Sequence, residues 1–138
     1  MGRTTTTDIT DLLKGHGITS TLQRVEIAQI LLSRPQHLSA EQTLEKVNRG
    51  RSLASKATIY NTLKLFVEKG LAREVIADPA RVFYEPKTTD HHHIFDVDTG
   101  ELSDIEPGSL MIAAMPQLPD NMEVLGMDVV IRVKKRDQ

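Results

Sequence analysis

His91, His92 and His93 stand in a row in the stretch TTDHHHIFDVDTGELSD, and they are three of the chain's five histidines. Imidazole beside carboxylate is a donor set for Fe, Mn, Zn, Ni or Co. In an extended backbone, side chains alternate faces. His91 and His93 then share one face, which suits a two-point grip on a divalent cation. His92 points the other way and, with Asp90 or Asp96, could make a second, weaker site. Glu85 and Asp104 are carboxylates that could join the first pair, and His37 could tie the first half of the chain to it. The competing reading is an exposed histidine loop that holds nothing. The chain has no cysteine, which excludes disulfides, thiol switches and thiolate zinc sites.

These groups must be positioned by a chain of 138 residues, enough for one ordinary domain or two small ones. The net charge of −2 is unevenly divided: residues 1–76 carry +4 and residues 77–138 carry −6. A basic half suits an anionic partner and an acidic half suits cations. No apolar run is long enough to cross a membrane, and MGRTTTTDIT lacks the apolar core of a signal peptide. A cytoplasmic protein with no membrane partner is expected.

The first seventy residues read as four helices. Ile9, Leu12 and Leu13 form a short apolar face before GHGIT. Leu22, Val25, Ala28, Leu31 and Leu32 predict a second helix over 21–33, stopped by Pro35. Ser39 and Gln42 make a capping box for a third helix, which reaches about Asn48. Ser55 can cap a fourth, in which Ile59, Leu63, Phe66 and Val67 form one buried stripe and Gly70 closes the end. Lys56, Tyr60 and Lys64 fall on another face of that helix, with Asn61 alongside. LAREVIA and RVFYE, joined by DPA, predict a hairpin. Helices followed by a hairpin make a winged helix-turn-helix.

PKTTD, residues 86–90, reads as a hinge between a DNA-binding domain over 1–85 and a second domain over 91–138. In the second, HIFDVDTGELSDI predicts two strands about an Asp-Thr-Gly turn. Pro107 begins a short helix ending at Pro116, and Met127, Val129, Ile131 and Val133 alternate as a final strand. About fifty residues form a marginal core by themselves, so a homodimer is expected. The fold class is α+β: a winged helix followed by a small α/β dimerisation and metal-sensing domain.

GHGITSTLQR, RPQHLSAEQTL, SKATIYNTLKLFVEKGLAREV, YEPKTTDHHHIFDVDTGELSDI and MDVVIRVKK resemble, in order and spacing, the ferric uptake regulator (Fur) superfamily. The resemblance runs from about Thr10 to Lys135. It is strongest to the iron response regulators and the cysteine-free peroxide regulators. It implies a dimeric repressor that closes on a palindromic DNA operator when metal binds. The family's regulatory ligands map onto His37, Glu85, His91, His93 and Asp104, for Fe²⁺ or Mn²⁺, with Zn²⁺ in purified protein. A secondary metal position falls on Asp90 and His92. The family's structural zinc needs two cysteine pairs; Asp96 and Thr99 stand where the first would lie, so that site is absent. The haem-binding Cys-Pro motif of some iron response regulators is missing too.

Tyr60-Asn61 stands where the family has Tyr-Arg. Tyr60 suits a thymine methyl and Asn61 an adenine edge. Lys14 resembles the family's minor-groove residue, and Arg24, Ser55 and Thr58 suit phosphates. The peroxide sensors of the family carry Asp where this chain has Glu85, which favours iron or manganese response. The expected function is a metal-responsive repressor of iron-homeostasis or peroxide-stress genes. The alternative is a zinc- or manganese-uptake regulator of the same fold. A reading from another class is a non-haem iron oxygenase with a His/His/carboxylate triad, which the helical first half opposes.

Overall fold

Local signals at the chain's helix ends account for most of the first unit. In the computed structural model, which describes residues 6–86, 88, 89 and 91–137, the chain divides into two compact units, 1–88 and 89–138. The first contains α1 (Thr6–Gly15), α2 (Leu22–Leu32), α3 (Ala40–Val47) and α4 (Lys56–Glu68), then β1 (Arg73–Asp78) and β2 (Arg81–Glu85). Thr21, Ser39 and Ser55 are extended N-caps whose hydroxyls accept from the backbone N–H three residues on. At Ser39 the Gln42 side chain reciprocates, so the capping box is complete. α4 ends in a left-handed Gly70 (φ +77°), with Leu71 N–H on the Phe66 carbonyl and Gly70 N–H on that of Val67. That pair satisfies two orphan carbonyls of the last turn.

The core of this unit gathers Ile9 and Leu13 of α1, Val25, Ile27, Ala28 and Leu31 of α2, Val47 of α3, and Ile59, Leu63 and Phe66 of α4. Each large aliphatic buried here contributes roughly 1.5–3 kcal/mol relative to exposure. Two expected core members lie outside it: Leu12 and Leu22 are exposed. Leu22 opens α2, where its Cβ leans back over the cap rather than onto a neighbouring helix. β1 and β2 pair antiparallel, with Val75 opposite Phe83. Leu38, just before α3, adds an isolated bridge to Tyr84 on β2.

The second unit is one three-stranded sheet in the order β4-β3-β5, from β3 (His93–Asp96), β4 (Leu102–Asp104) and β5 (Val130–Val133). β3 pairs antiparallel with β4 and parallel with β5. The β3–β4 turn is closed by the Asp96 carboxylate, which accepts from the N–H groups of Asp98 and Thr99. Asp98 in turn accepts from Lys135 N–H, tying the exit of β5 to the turn. Phe95 and Leu102 are the unit's buried apolar pair.

The helix expected over 107–116 does not form: 107–110 is turn and bend, and 111–116 has no regular structure. A helix this short is marginal unless a neighbour covers its apolar face, and Met111, Ile112 and Met115 are exposed. The last strand is also shorter than expected, beginning at Val130 rather than Met127. Among the described residues no helix is long and apolar enough to cross a membrane.

Candidate metal centre and nucleic-acid interface

Two groups of donors form, one in each unit. In the first, the Leu38–Tyr84 bridge is made by two backbone hydrogen bonds, 2.9 and 2.7 Å. Antiparallel register then sets the preceding residue, His37, beside the following residue, Glu85. Their side chains meet, His37 Nε2 to Glu85 Oε2 at 2.8 Å, and Glu85 is only 2% exposed. A buried carboxylate needs a partner of this kind, because isolated charge is costly to desolvate.

In the second unit, β-sheet register places His93 directly opposite Asp104. Asp104 Oδ1 lies 3.3 Å from His93 Nε2 and 3.4 Å from His91 Nε2. The two imidazoles are neighbours, with ring centroids 4.4 Å apart. His91 Nδ1 lies 2.7 Å from the Thr89 carbonyl, a bond it makes as donor. That fixes the proton on Nδ1 and leaves the Nε2 lone pair for a ligand.

The second group has the spacing of ligands on one divalent cation, while His37 and Glu85 stand at hydrogen-bond distance. Ligand bonds of about 2.0–2.2 Å put neighbouring donor atoms roughly 3–3.5 Å apart around one ion, the range in which the His–Asp104 contacts fall. The donors are nitrogen and carboxylate oxygen with no thiolate, which suits Fe²⁺, Mn²⁺ or Zn²⁺. His92 turns away from this set: its Nδ1 accepts from Val129 N–H at 3.0 Å, clipping β5 to the start of β3. Asp90 lies outside the described residues.

The α4 face is exposed at Lys56, Tyr60, Asn61 and Lys64. Lys56 Nζ stands 5.9 Å from the Tyr60 ring centroid, within cation–π range. Ser55 and Thr58 are engaged with each other, the Ser55 hydroxyl 3.1 Å from Thr58 N and 2.9 Å from Thr58 Oγ1. Lys14 is exposed on the last turn of α1. Arg24 is half-buried and donates to the Thr19 carbonyl at 2.8 Å, so one of its guanidinium nitrogens braces the α1–α2 loop.

Two residues that support α4 escaped sequence reasoning. Asn48, the C-cap of α3, hydrogen-bonds Leu53 and Ala54 and so shapes the connection into α4. Glu41, in the first turn of α3, accepts a 2.7 Å hydrogen bond from the Tyr60 hydroxyl. An Asn beside Arg-Gly is a turn signal that points to the first; nothing in sequence spacing points to the second.

The Tyr60 bond holds the Glu41 carboxyl below its usual range and, seen from the other partner, pushes the Tyr60 phenol up. Burial, with Glu74 nearby, pushes Tyr84 up to about 12. For raised phenols, the stabilisation is present below the ordinary value and is lost as pH rises through the native one. The depressed Glu41 works in reverse, its contribution fading as pH falls through the native value. The chain has two tyrosines and no tryptophan, so phenolate absorbance reports Tyr60 and Tyr84 alone. Spectrophotometric titration of the native protein is expected to show both ionising above pH 10, with ordinary behaviour restored on unfolding. A native phenol that titrates at or below 10 would contradict the Tyr60 bond.

A helical bundle that ends in an exposed basic-aromatic helix and a two-stranded wing, in a chain carrying imidazole–carboxylate donors, defines a winged-helix, metal-binding regulator. Residues 15–127 match the ferric uptake regulator family. The chain belongs to that family, which is one of metal-responsive transcription regulators and not of enzymes. The oxygenase reading is therefore set aside. The peroxide operon regulator of Bacillus subtilis is 30% identical over 99 residues, which are 71% of this chain and 68% of that protein. The peroxide-responsive repressor PerR of Staphylococcus aureus Mu50 is 29% identical over 94 residues, 68% of this chain and 64% of its own. Among solved structures, the Pseudomonas aeruginosa ferric uptake regulator with manganese superposes with a TM-score of 0.67 at 24% identity, covering 92% of this chain and 97% of that one. At that identity the likeness speaks for the fold alone.

Proposed function

We propose that the protein is a homodimeric repressor of iron-homeostasis or peroxide-stress genes that binds a palindromic operator in its metal-loaded form. One Fe²⁺ or Mn²⁺ takes ligands from His37, Glu85, His91, His93 and Asp104. The observation that carries this reading is the division of the donors. His91 and His93 with Asp104 have ligand-like spacing and His37 lies beside Glu85, yet neither group alone completes a coordination shell. A cation that needs both fixes one orientation of the domains across the hinge at 86–90. It therefore favours that state by differential affinity. His92, through Nε2, and Asp90 remain the candidates for a weaker second position.

On DNA, Tyr60 and Asn61 read base edges in the major groove, while Lys14, Arg24, Lys56 and Lys64 meet phosphates or the minor groove. Ser55 and Thr58 present the α4 N-terminus to a phosphate through their cap. Dimerisation is supported by the row of exposed apolar side chains over 111–133, Leu125 being 91% exposed, a surface of the kind that marks interaction sites.

The test is a palindrome selected from random duplex DNA with purified protein, then bound across a series of Fe²⁺, Mn²⁺ and Zn²⁺ concentrations. Iron or manganese is expected to tighten binding at least tenfold over chelator. Response to zinc alone moves the protein to the zinc-uptake alternative, and no metal response sinks the reading. Of the two gene classes, the peroxide-responsive relatives favour peroxide-stress genes. Iron-loaded protein that releases DNA on peroxide treatment, with oxygen added to a ligand histidine, would establish that role.

A further inference from the structure

The Tyr60–Glu41 bond sets a carboxylate on the α4 face, where the proposed ligand is a polyanion. An acidic side chain near a phosphate backbone opposes binding at any sequence. Its presence therefore calls for a compensating gain.

We propose that Glu41 is a positioning residue for operator recognition: it holds the Tyr60 phenol, by the 2.7 Å bond to its hydroxyl, in the one orientation that reads a base. The inference rests on the reading of α4 as the recognition helix. Tyr60 is 39% exposed, and a side chain so exposed samples several rotamers unless something selects one. Glu41 takes the hydroxyl end. Lys56, one turn earlier on α4, lies over the ring, and its charge also acts on Glu41. The three groups together carry no net charge, which reduces the repulsion between Glu41 and phosphate. The ring is thus ordered before DNA arrives, and the ordering cost is removed from binding.

Placement adds a second consequence. Glu41 lies four residues after His37, and between them are the Leu38–Tyr84 bridge and the Ser39 cap. The segment that carries a proposed metal ligand is the same one that carries the Tyr60 tether.

The experiment uses the full-length, Mn²⁺-loaded protein and the palindrome selected from random duplex DNA. Affinity is measured for that duplex and for single-base variants, at several salt concentrations. Glu41→Ala and Tyr60→Phe are each expected to weaken operator binding about three- to tenfold. The loss should concentrate at one symmetry-related base pair, with the salt slope unchanged. Glu41→Gln keeps an acceptor and is expected to retain the base preference. The double variant Glu41→Ala/Tyr60→Phe should be no weaker than Tyr60→Phe alone, because both remove the same contact. In Glu41→Ala the Tyr60 phenol should titrate closer to its ordinary value.

If Glu41 merely repels phosphate, Glu41→Ala tightens binding to every duplex by the same factor, and the proposal is overturned. Additive losses in the double variant overturn it as well. A Tyr60→Ala protein that loses operator binding while Glu41→Ala and Tyr60→Phe do not would overturn the tether alone. Parental binding by Tyr60→Ala would instead remove the recognition-helix reading, and the tether with it.

Discussion

Replacing His93 by alanine is expected to reduce the metal dependence of operator binding sharply. His93 is fully buried, and its Nε2 is one of the two nitrogens gathered on Asp104 Oδ1. Losing a residue that only supports a ligand already costs about 10- to 100-fold in metal affinity. Loss of a ligand itself should reach at least the upper end of that range. The consequence for DNA follows from population arithmetic. Driving a two-state protein from almost all open to almost all closed takes about a 10⁴-fold preference of the metal for the closed state. A hundredfold reduction in that preference leaves at most about half of the protein closed, even when metal saturates it. His93 is also fully buried, so the alanine variant carries a cavity penalty of its own. Asp104→Asn removes that ambiguity. Asp104 is 45% exposed, and the amide is close in size but a poorer ligand. Both variants are expected to show a much smaller difference between metal and chelator than the parent in a gel shift. Metal dependence as large as the parent's in both variants would sink the ligand assignment.

The features legible in the sequence are those set by short-range chemistry. The N-caps, the Ser39 capping box, the Gly70 stop and the wing turn each depend on residues a few positions apart. Their hydrogen bonds form where the residue types predict. The pairing of His91 with His93 depends on a period of two and is equally local. The helix expected over 107–116 failed because its signal was a proline at each boundary, and a segment this short with Met111, Ile112 and Met115 exposed cannot overcome a costly nucleus. His37 and Glu85 are 48 positions apart in the sequence, and their meeting depends on the Leu38–Tyr84 bridge. Only the family resemblance, not local chemistry, paired them in advance. The turn at Asp96 and Thr99 shows a third situation. Where the family resemblance implies cysteines for zinc, this chain closes the turn with a carboxylate and backbone N–H groups. The absence of thiolates was legible in the sequence; the hydrogen bonds that replaced them were not.

The connection between α3 and α4 carries the second large effect, because one side chain organises it. Asn48 Oδ1 accepts from Leu53 N–H at 2.9 Å and from Ala54 N–H at 3.0 Å, and its Nδ2 donates to the Ala54 carbonyl at 2.7 Å. These three bonds fix the residues immediately before Ser55, the cap of α4. They are part-buried, so an alanine at 48 leaves backbone donors and an acceptor with poor access to water. An unsatisfied buried group costs about 1–3 kcal/mol. Partial solvation and local rearrangement recover some of that, and a net loss of about 2–3 kcal/mol is expected for Asn48→Ala. Asn48→Asp keeps the acceptor oxygen but sets a second oxygen against the Ala54 carbonyl, so it should fall between the parent and alanine. Denaturant unfolding measures the stability order. DNA binding should follow the same order at a temperature where all three proteins are folded, because a displaced Ser55 cap moves the start of α4 and with it Tyr60 and Asn61. An Asn48→Ala protein as stable as the parent would show that the linker is held by other contacts, such as Arg51 on the Val47 carbonyl and on Glu26.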